Sequence, residues 1–293
     1  MKYYGIKKNF LAIEESVSNY DFSKVVILPV PYEATTSYGK GTAKGPMGII
    51  NASHYVELFD EELNRELCNE IGICTLKELN MKDKKGKKAL DFIYKNVNEQ
   101  IKNGKFVITL GGEHSISTAP IKAHFDNYEN LSILHFDAHS DYRQEYEGSI
   151  YSHASFAARV AEFTQDIVQV GIRAQCKEEY DFIKENNLKT FYAFEIRNGK
   201  YGYDWENKVI DSLKENVYIT FDVDYFDPSV MPSTGTPEPL GFYWEETLRL
   251  LKKLGKQKKV VGFDVVELAP QKNYSYPDFL TAKLIYKMLN YFF

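Results

Sequence analysis

Leu131-Ser-Ile-Leu-His-Phe-Asp137-Ala-His139-Ser-Asp141 is the stretch of sequence that decides the fold of this chain. It begins with a mostly apolar run, which is typical of a strand buried on both faces of a parallel sheet. Aspartate, histidine and aspartate then follow at alternate positions, and alternate residues of an extended chain share one face. Because open α/β sheets bind ligands at the carboxyl ends of their strands, Asp137, His139 and Asp141 are candidate metal ligands.

Similar short runs recur along the chain and together predict eight strands: Val25–Val30, Ile71–Leu76, Phe106–Leu110, Leu131–Phe136, Ile167–Val170, Thr190–Tyr192, Val217–Phe221 and Val260–Val266. Helical patterns lie between them, and a last helix is predicted to begin near Pro277, a residue suited to a first helical turn. The alternation predicts an α/β fold. The length of 293 residues is compatible with a single domain over residues 1–293.

A second acidic pair ends the apolar run Val217-Tyr-Ile-Thr-Phe-Asp222-Val-Asp224. Two carboxylates close together at a buried strand end are costly unless a cation neutralises them. With Asp137 and Asp141, the charges of the four aspartates would balance two divalent ions.

A third strand, Phe106-Val-Ile-Thr-Leu, ends in Gly-Gly-Glu-His114-Ser, where the glycines permit a tight turn and close backbone approach. His114 and His153 lie in strand-end or loop segments rich in polar neighbours and are candidate functional residues. His54 and His124 are expected on helix surfaces. His135 is expected in the core or in contact with a metal ligand.

Composition narrows the function further. The chain has a net charge of -5, with 44% hydrophobic and 26% charged residues, which is typical of a folded soluble protein. It lacks the basic excess of nucleic-acid-binding proteins, so no nucleic acid partner is expected. No apolar run is long enough to span a bilayer and the first residues do not resemble a signal peptide, so no membrane partner and a cytoplasmic location are expected.

At this point the residues resemble the ureohydrolase family of arginases, agmatinases and related amidinohydrolases. The motifs that carry the resemblance are Gly-Gly-Glu-His114-Ser, Asp137-Ala-His139-Ser-Asp141, Phe221-Asp222-Val-Asp224-Tyr-Phe-Asp227-Pro and Phe263-Asp-Val-Val-Glu267. The resemblance implies a three-layer α/β/α, arginase-like fold with a central, mostly parallel eight-stranded sheet. It also implies a homo-oligomer, a trimer or hexamer.

The resemblance implies two Mn2+ per subunit, the first held by His114, Asp137, Asp141 and Asp222, and the second by Asp137, His139, Asp222 and Asp224. Asp137 and Asp222 would then bridge the ions. A site dominated by carboxylate oxygens with a minority of imidazole suits manganese, although zinc or cobalt would also be compatible. Such a pair can lower the pKa of a bridging water and supply hydroxide for attack on a guanidinium carbon.

Three catalytic residues follow from the same resemblance. Asp141 would also orient the hydroxide, and Glu267 would hold the guanidinium of the substrate by a charge-assisted pair. His153, in Tyr151-Ser-His153-Ala-Ser, would contact the substrate and donate a proton to the leaving amine.

The expected reaction is the hydrolysis of agmatine to urea and the polyamine precursor putrescine. Glu145 and Glu147, in the loop Tyr142–Ser152, favour an amine tail on the substrate, while arginine, guanidinobutyrate and guanidine remain alternatives. Leu240 stands where the family often has glycine, so its side chain is expected to narrow the pocket. Two other classes are compatible with parts of the pattern: a mono-zinc deacetylase-type relative and a non-catalytic metal-binding paralogue.

Overall fold

A computed structural model describes residues 2–293 of the protein. Eight strands form its sheet: β1 (Val25–Val30), β2 (Ile73–Thr75), β3 (Phe106–Gly111), β4 (Leu131–Phe136), β5 (Ile167–Val170), β6 (Lys189–Phe191), β7 (Asn216–Asp222) and β8 (Lys259–Val266). Their order is β2-β1-β3-β8-β7-β4-β5-β6. Every pairing between neighbours in that order is parallel, so the predicted eight-stranded sheet is confirmed.

Eleven α-helices connect or flank the strands: α1 (Glu15–Ser18), α2 (Gly45–Ser53), α3 (Leu67–Ile71), α4 (Lys87–Lys102), α5 (Thr118–Phe125), α6 (Phe156–Ala161), α7 (Lys177–Glu185), α8 (Ala193–Arg197), α9 (Trp205–Asp211), α10 (Trp244–Gln257) and α11 (Tyr276–Phe292). Short 3-10 helices span Ile6–Lys8, Phe10–Ala12, Thr42–Lys44, His114–Ser117, His153–Ser155 and Val223–Tyr225. Within residues 2–293, no helix is both long and apolar enough to cross a bilayer.

The buried strand residues alternate between two helical layers. In β3, Ile108 packs into the core that includes α2, α3 and α8 to α11, whereas Val107 packs with α4 and α5. A third cluster joins α5, α6 and α7 to β4 and β5 through residues such as Ile133 and Ile167. Side chains that alternate between the faces of a strand therefore produce the three-layer α/β/α architecture expected from the sequence.

Two local predictions were wrong. The second strand begins at Ile73 rather than Ile71, because Ile71 ends α3 and the left-handed backbone of Gly72 (φ 63°) separates helix from strand. His124 lies in the core rather than on a helix surface: it is 1% exposed, and its Nδ1 lies 2.8 Å from the carbonyl oxygen of Pro120. A side chain at Gly262 of β8 would overlap the His124 imidazole, so this glycine lets α5 approach the sheet.

The central strands β3, β8, β7 and β4 are neighbours, and their carboxyl ends lie at one edge of the sheet. The ladders fix their relative heights: Phe136 pairs with Phe221, and Asp222 pairs with Val266. The residues that follow these four strands are therefore brought together, although they are far apart in sequence.

Candidate active site

The structure brings every sequence-predicted ligand to one cluster at this sheet edge. His114 follows β3, Asp222 ends β7, and Asp224 lies in the short helix after it, while Asp137, His139 and Asp141 follow β4. All are buried except His139, whose side chain is 25% exposed. The cluster faces a cavity of about 340 Å³, so its groups are accessible to a small molecule.

Three carboxylates surround one ring nitrogen of His114. Its Nδ1 lies 3.0 Å from Asp137 Oδ2, 3.2 Å from Asp222 Oδ2 and 3.5 Å from Asp141 Oδ2, yet it has no hydrogen-bond partner of suitable geometry. A buried nitrogen facing three carboxylate oxygens is favourable only if a cation or a proton lies between them. The arrangement fits a divalent metal held by these four residues.

Thr220 and Asp264 determine which nitrogen of His114 is free. The Thr220 hydroxyl donates to Asp264 Oδ1 at 2.7 Å, so its oxygen accepts from His114 Nε2 at 2.9 Å. Nε2 therefore carries the hydrogen of the neutral ring, and the lone pair is on Nδ1, facing the carboxylates. Hydrogen bonds of this kind orient histidine ligands in metal sites.

His135 positions one of the candidate ligands. Its Nδ1 accepts from the Gln169 amide at 3.0 Å, and its Nε2 lies 2.7 Å from Asp137 Oδ2. The Gln169 orientation is fixed because its oxygen accepts from the Thr190 hydroxyl at 3.0 Å. His135 therefore donates to Asp137 and positions it, in agreement with the expected contact with a ligand.

A second possible metal position lies beside the first. His139 Nδ1 is 2.9 Å from Asp224 Oδ2 and 3.6 Å from Asp137 Oδ1, and these three residues converge closely enough to share an ion. Backbone amides occupy other oxygens: Ala138 N donates to Asp224 Oδ1 at 3.0 Å, and Asp224 N donates to Asp222 Oδ1 at 2.8 Å. The donor set, six side chains with oxygen predominating, suits two hard divalent cations.

The electrostatics also favour bound cations. Burial, followed by the charges of neighbouring carboxylates, raises the pKa of Asp141 and of Asp222 well above the usual range. Burial opposes protonation of His114, but the adjacent Asp137 carboxylate outweighs it and raises the pKa of His114 to about 9. In a metal-free protein a proton on Nδ1 therefore neutralises part of the charge that an ion would otherwise balance.

Glu267 lines the same cavity as this cluster. Its Oε1 accepts from the backbone N–H of His114 at 2.6 Å, and burial raises its pKa to about 8. Both Glu267 and Asp141 have left-handed backbone, with φ of 64° and 54°. Such a conformation is unfavourable for residues other than glycine, and it is concentrated at functional sites, where it directs a side chain that a regular strand would not.

His153 lines the same cavity. Its Nδ1 lies 3.3 Å from Thr35 Oγ1, and burial lowers the pKa of the imidazole.

Gly112, in the Gly-Gly turn before His114, approaches the carbonyl oxygen of Tyr32 so closely that a Cβ would overlap it. The predicted reason for these glycines, close backbone approach, is confirmed at Gly112.

The cavity rim corrects the sequence-based view of the substrate tail. Glu145 and Glu147 are exposed and do not line the cavity; this loop contributes Arg143 and Tyr146 to the wall instead. The tight Tyr146–Ser149 turn places Glu147 outside, and Glu145 directly precedes this turn. The acidic group at the rim is Glu238, from a loop to which the sequence assigned no acidic function.

Leu240 does not narrow the pocket. Its side chain is 51% exposed and does not line the cavity. The same loop is held by Arg173, whose guanidinium donates to backbone carbonyls on three segments, those of Gly171, Asp224, Tyr225, Phe226, Glu238 and Pro239. These contacts engage the backbone carbonyl of Glu238, and its carboxylate has no ion pair or hydrogen bond within residues 2–293.

Sequence reasoning missed the residues that position the cluster from behind, chiefly Thr220, Asp264 and Gln169. One signal was present in the sequence, because Asp264 is a charged residue inside the apolar strand β8. A buried carboxylate must be satisfied by hydrogen bonds, and Asp264 accepts them from Ser117, Tyr218 and Thr220.

With this geometry established, comparison with known proteins gives the family. Residues 23–290 match the family model described as the arginase family. The chain belongs to the arginase family. It is 39% identical to an N(1)-aminopropylagmatine ureohydrolase of Synechocystis sp., over 97% of this chain and 94% of that protein.

Further relatives agree with this arginase-family assignment. An agmatinase of Pyrococcus horikoshii is 33% identical over 90% of each chain. The crystal structure of an agmatine ureohydrolase of Thermoplasma volcanium superposes with a TM-score of 0.86 at 28% identity, covering 97% of this chain and 94% of that one. The arginase-family chain is thus a ureohydrolase, an enzyme that hydrolyses amidino C–N bonds, with the arginase-like fold.

Proposed function

We propose that the chain is a binuclear manganese ureohydrolase that hydrolyses agmatine to urea and putrescine. The observation that carries the proposal is that two charged elements line one cavity: the aspartate and histidine cluster, and the separate carboxylate of Glu267, which is held by the backbone N–H of His114. A planar guanidinium can pair with a carboxylate while its carbon faces the cluster.

Six residues would hold the ions, His114, Asp137, Asp141, Asp222, Asp224 and His139, with Asp137 and Asp222 shared. The free Nδ1 of His114 and the buried, like-charged carboxylates support this ligand set. Two divalent ions bound there would supply an activated water at neutral pH. The excess of carboxylate oxygen over imidazole favours Mn2+ over Zn2+.

The protein's own groups would then carry the substrate through the reaction. Glu267 holds the guanidinium, and Asp141, at the cavity edge of the cluster, accepts a hydrogen bond from the attacking water and orients it. When the C–N bond breaks, its electron pair goes to the departing nitrogen, which must gain a proton to leave as an amine. His153 lines the cavity and supplies that proton from Nε2.

Glu238 supports an amine at the far end of the substrate. Its carboxylate lies at the rim without a cationic partner in the described residues, so a substrate ammonium would gain an ion pair there. Guanidinobutyrate, which has a carboxylate and no ammonium, would instead be repelled, and arginine would gain less than an amine because its α-carboxylate stands beside its ammonium. This rim carboxylate replaces Glu145 and Glu147 as the basis for the amine tail.

N(1)-aminopropylagmatine is a second candidate substrate. Glu238 lines the cavity of about 340 Å³ and is the carboxylate that would meet a second ammonium, because the Glu179 carboxylate already accepts from Ser140, Tyr142 and Cys176. The Synechocystis relative carries this substrate in its name. We also propose that residues 1–293 form one catalytic domain that assembles as a trimer or hexamer.

The decisive experiment measures urea released by the Mn2+-loaded protein from agmatine, N(1)-aminopropylagmatine, arginine, guanidinobutyrate and guanidine, with metal content determined in the same samples. We expect about two Mn2+ per chain and the highest kcat/KM for an amine-tailed substrate. A higher kcat/KM for N(1)-aminopropylagmatine than for agmatine would select the second candidate. Preference for arginine or guanidinobutyrate would refute the role of Glu238, and no urea from any compound would refute the proposed function.

A further inference from the structure

We propose that Glu113 and Thr35 form a hydrogen-bond chain that positions His153 and fixes which of its ring nitrogens faces the substrate. The inference rests on the proposed function, because it assumes that His153 delivers a proton to the leaving amine. Glu113 and Thr35 do not line the cavity that would hold the substrate, so they are positioning residues.

Glu113 anchors the chain. It is fully buried, and its carboxylate accepts four hydrogen bonds. Oε2 accepts from the backbone N–H groups of Ala34 (2.5 Å) and Thr35 (2.6 Å), while Oε1 accepts from the hydroxyls of Thr35 (2.7 Å) and Ser115 (2.6 Å). A carboxylate held this way is rigid and retains its orientation.

The direction of the hydrogen bonds follows from the Thr35 hydroxyl. Its single hydrogen is donated to Glu113, so its oxygen can only accept. It accepts from the backbone N–H of His153 at 3.0 Å, and it lies 3.3 Å from His153 Nδ1. A hydrogen bond between the two therefore requires the hydrogen on Nδ1, which leaves Nε2 as the nitrogen for the cavity. The Ser152 hydroxyl is farther from Nδ1, at 3.4 Å.

This arrangement suits a proton donor in two ways. With Nδ1–H held by Thr35, the imidazolium donates its reactive proton from Nε2 only, and after donation the neutral ring keeps the same tautomer. The Glu113 charge also opposes the effect of burial, which otherwise disfavours the protonated ring by lowering its pKa. Tyr146, packed edge-on at 5.7 Å, limits rotation on another side of the ring.

The hydrogen-bond chain reaches His153 through a loop whose backbone is also held by a second glutamate. Glu33 accepts from the backbone N–H groups of Gly41 (3.0 Å) and Ala43 (3.1 Å), so the segment holding Thr35 is braced independently of the Thr35 hydroxyl. Thr35→Val keeps the shape of the side chain and removes only the hydroxyl, while Thr35→Ser keeps the hydroxyl. This pair of variants separates hydrogen bonding from packing.

The test compares Thr35→Val, Thr35→Ser and His153→Asn with the double variant Thr35→Val/His153→Asn, as Mn2+-loaded proteins with agmatine as the substrate. Kinetic constants come from urea release, and thermal unfolding and metal content report on structure. We expect Thr35→Val to lower kcat by about 10- to 100-fold with KM changed less than about 2-fold, because general acid catalysis contributes on the order of 100-fold or more. Thr35→Ser should retain kcat within about 3-fold, since the hydroxyl that fixes the tautomer remains.

The double variant decides the outcome. If Thr35 acts through His153, Thr35→Val should lower kcat by less than about 2-fold once His153 is already replaced, because the effects of coupled residues are not additive. An equal loss of kcat with and without His153 would refute the proposed hydrogen-bond chain. Full activity of Thr35→Val or of His153→Asn would refute it as well. These results differ from failure of the proposed function, in which the unaltered protein would release no urea.

Discussion

Replacement of Thr220 by valine is expected to weaken one of the two metal positions and spare the other. The threonine hydroxyl is buried between His114 Nε2 and Asp264 Oδ1, at 2.9 Å and 2.7 Å. Valine has nearly the same shape, so the strand packing is preserved. Asp264 keeps its hydrogen bonds from Ser117 and Tyr218, but Nε2 of His114 loses its acceptor.

The size of the effect follows from the tautomer. Without Thr220, the His114 ring of the metal-free protein, which otherwise holds a hydrogen on each nitrogen, can lose that of Nε2 and shift to the form with its one hydrogen on Nδ1, 3.0 Å from Asp137 Oδ2. Metal binding must reverse that shift and leave a buried Nε2–H unpaired, at a cost of about 1–3 kcal/mol. Since about 1.4 kcal/mol is a factor of ten, affinity should fall by about 10- to 100-fold, the range usual for residues that orient metal ligands.

The assay is calorimetric titration of chelator-treated protein with Mn2+, resolving the two sites, with Thr109→Val as the matched control. Thr109 is also buried and pairs with Asp264 in the ladder, as Thr220 does from the other side, but among residues 2–293 its hydroxyl has no hydrogen-bond partner. We expect weaker binding of a single equivalent in Thr220→Val and two unaltered equivalents in Thr109→Val. Unchanged binding in Thr220→Val, or equal weakening in both variants, would refute the reasoning.

Three further outcomes are expected. Glu238→Gln should raise KM for agmatine by about 2- to 5-fold, which is the effect of losing a partly exposed ion pair. It should leave guanidine hydrolysis unchanged, because guanidine has no amine tail. Equal effects on both substrates would contradict this expectation. Lys287→Met should lower the free energy of unfolding, measured by urea denaturation, by about 3–5 kcal/mol. The reason is that Asp60, which is buried and 2.9 Å from Lys287 Nζ, loses its charged partner. A loss below about 1 kcal/mol would contradict this expectation. Mn2+ affinity should rise with pH up to about 9, and binding should release protons below that pH. The reason is that the raised pKa of His114 keeps a proton on Nδ1 that must leave before the metal binds. Titrations showing flat affinity between pH 6 and 9 would contradict this expectation.

The positions of the metal-ligand candidates could be predicted because they depend on strand periodicity. Asp137, His139 and Asp141 alternate after β4, and Asp222 ends β7, so the rule for parallel sheets placed them at one edge. The same reasoning placed Glu267 after β8. Local sequence sufficed here because each group is delivered by the end of a regular element.

The remaining parts of the site depend on contacts between segments distant in sequence. Thr35 reaches His153 across 118 residues, and Thr220 reaches His114 across 106, so no local pattern indicates either pair. The rim was misjudged for a related reason. Which glutamate faces the cavity depends on backbone turns, and a turn places Glu147 outside while the Arg173 carbonyl contacts hold the segment of Glu238 at the opening.

The ladder contacts that fix the heights of β3, β8, β7 and β4 have a consequence for how the enzyme responds to its surroundings. Backbone ladders and apolar packing hold these strands in register, so the cluster does not depend on metal ligation for its assembly, unlike a zinc finger, whose chain folds only on binding. Loading and loss of the metal should then change activity without unfolding the chain. We expect the cellular supply of the ion to act as a reversible control on the rate of urea release.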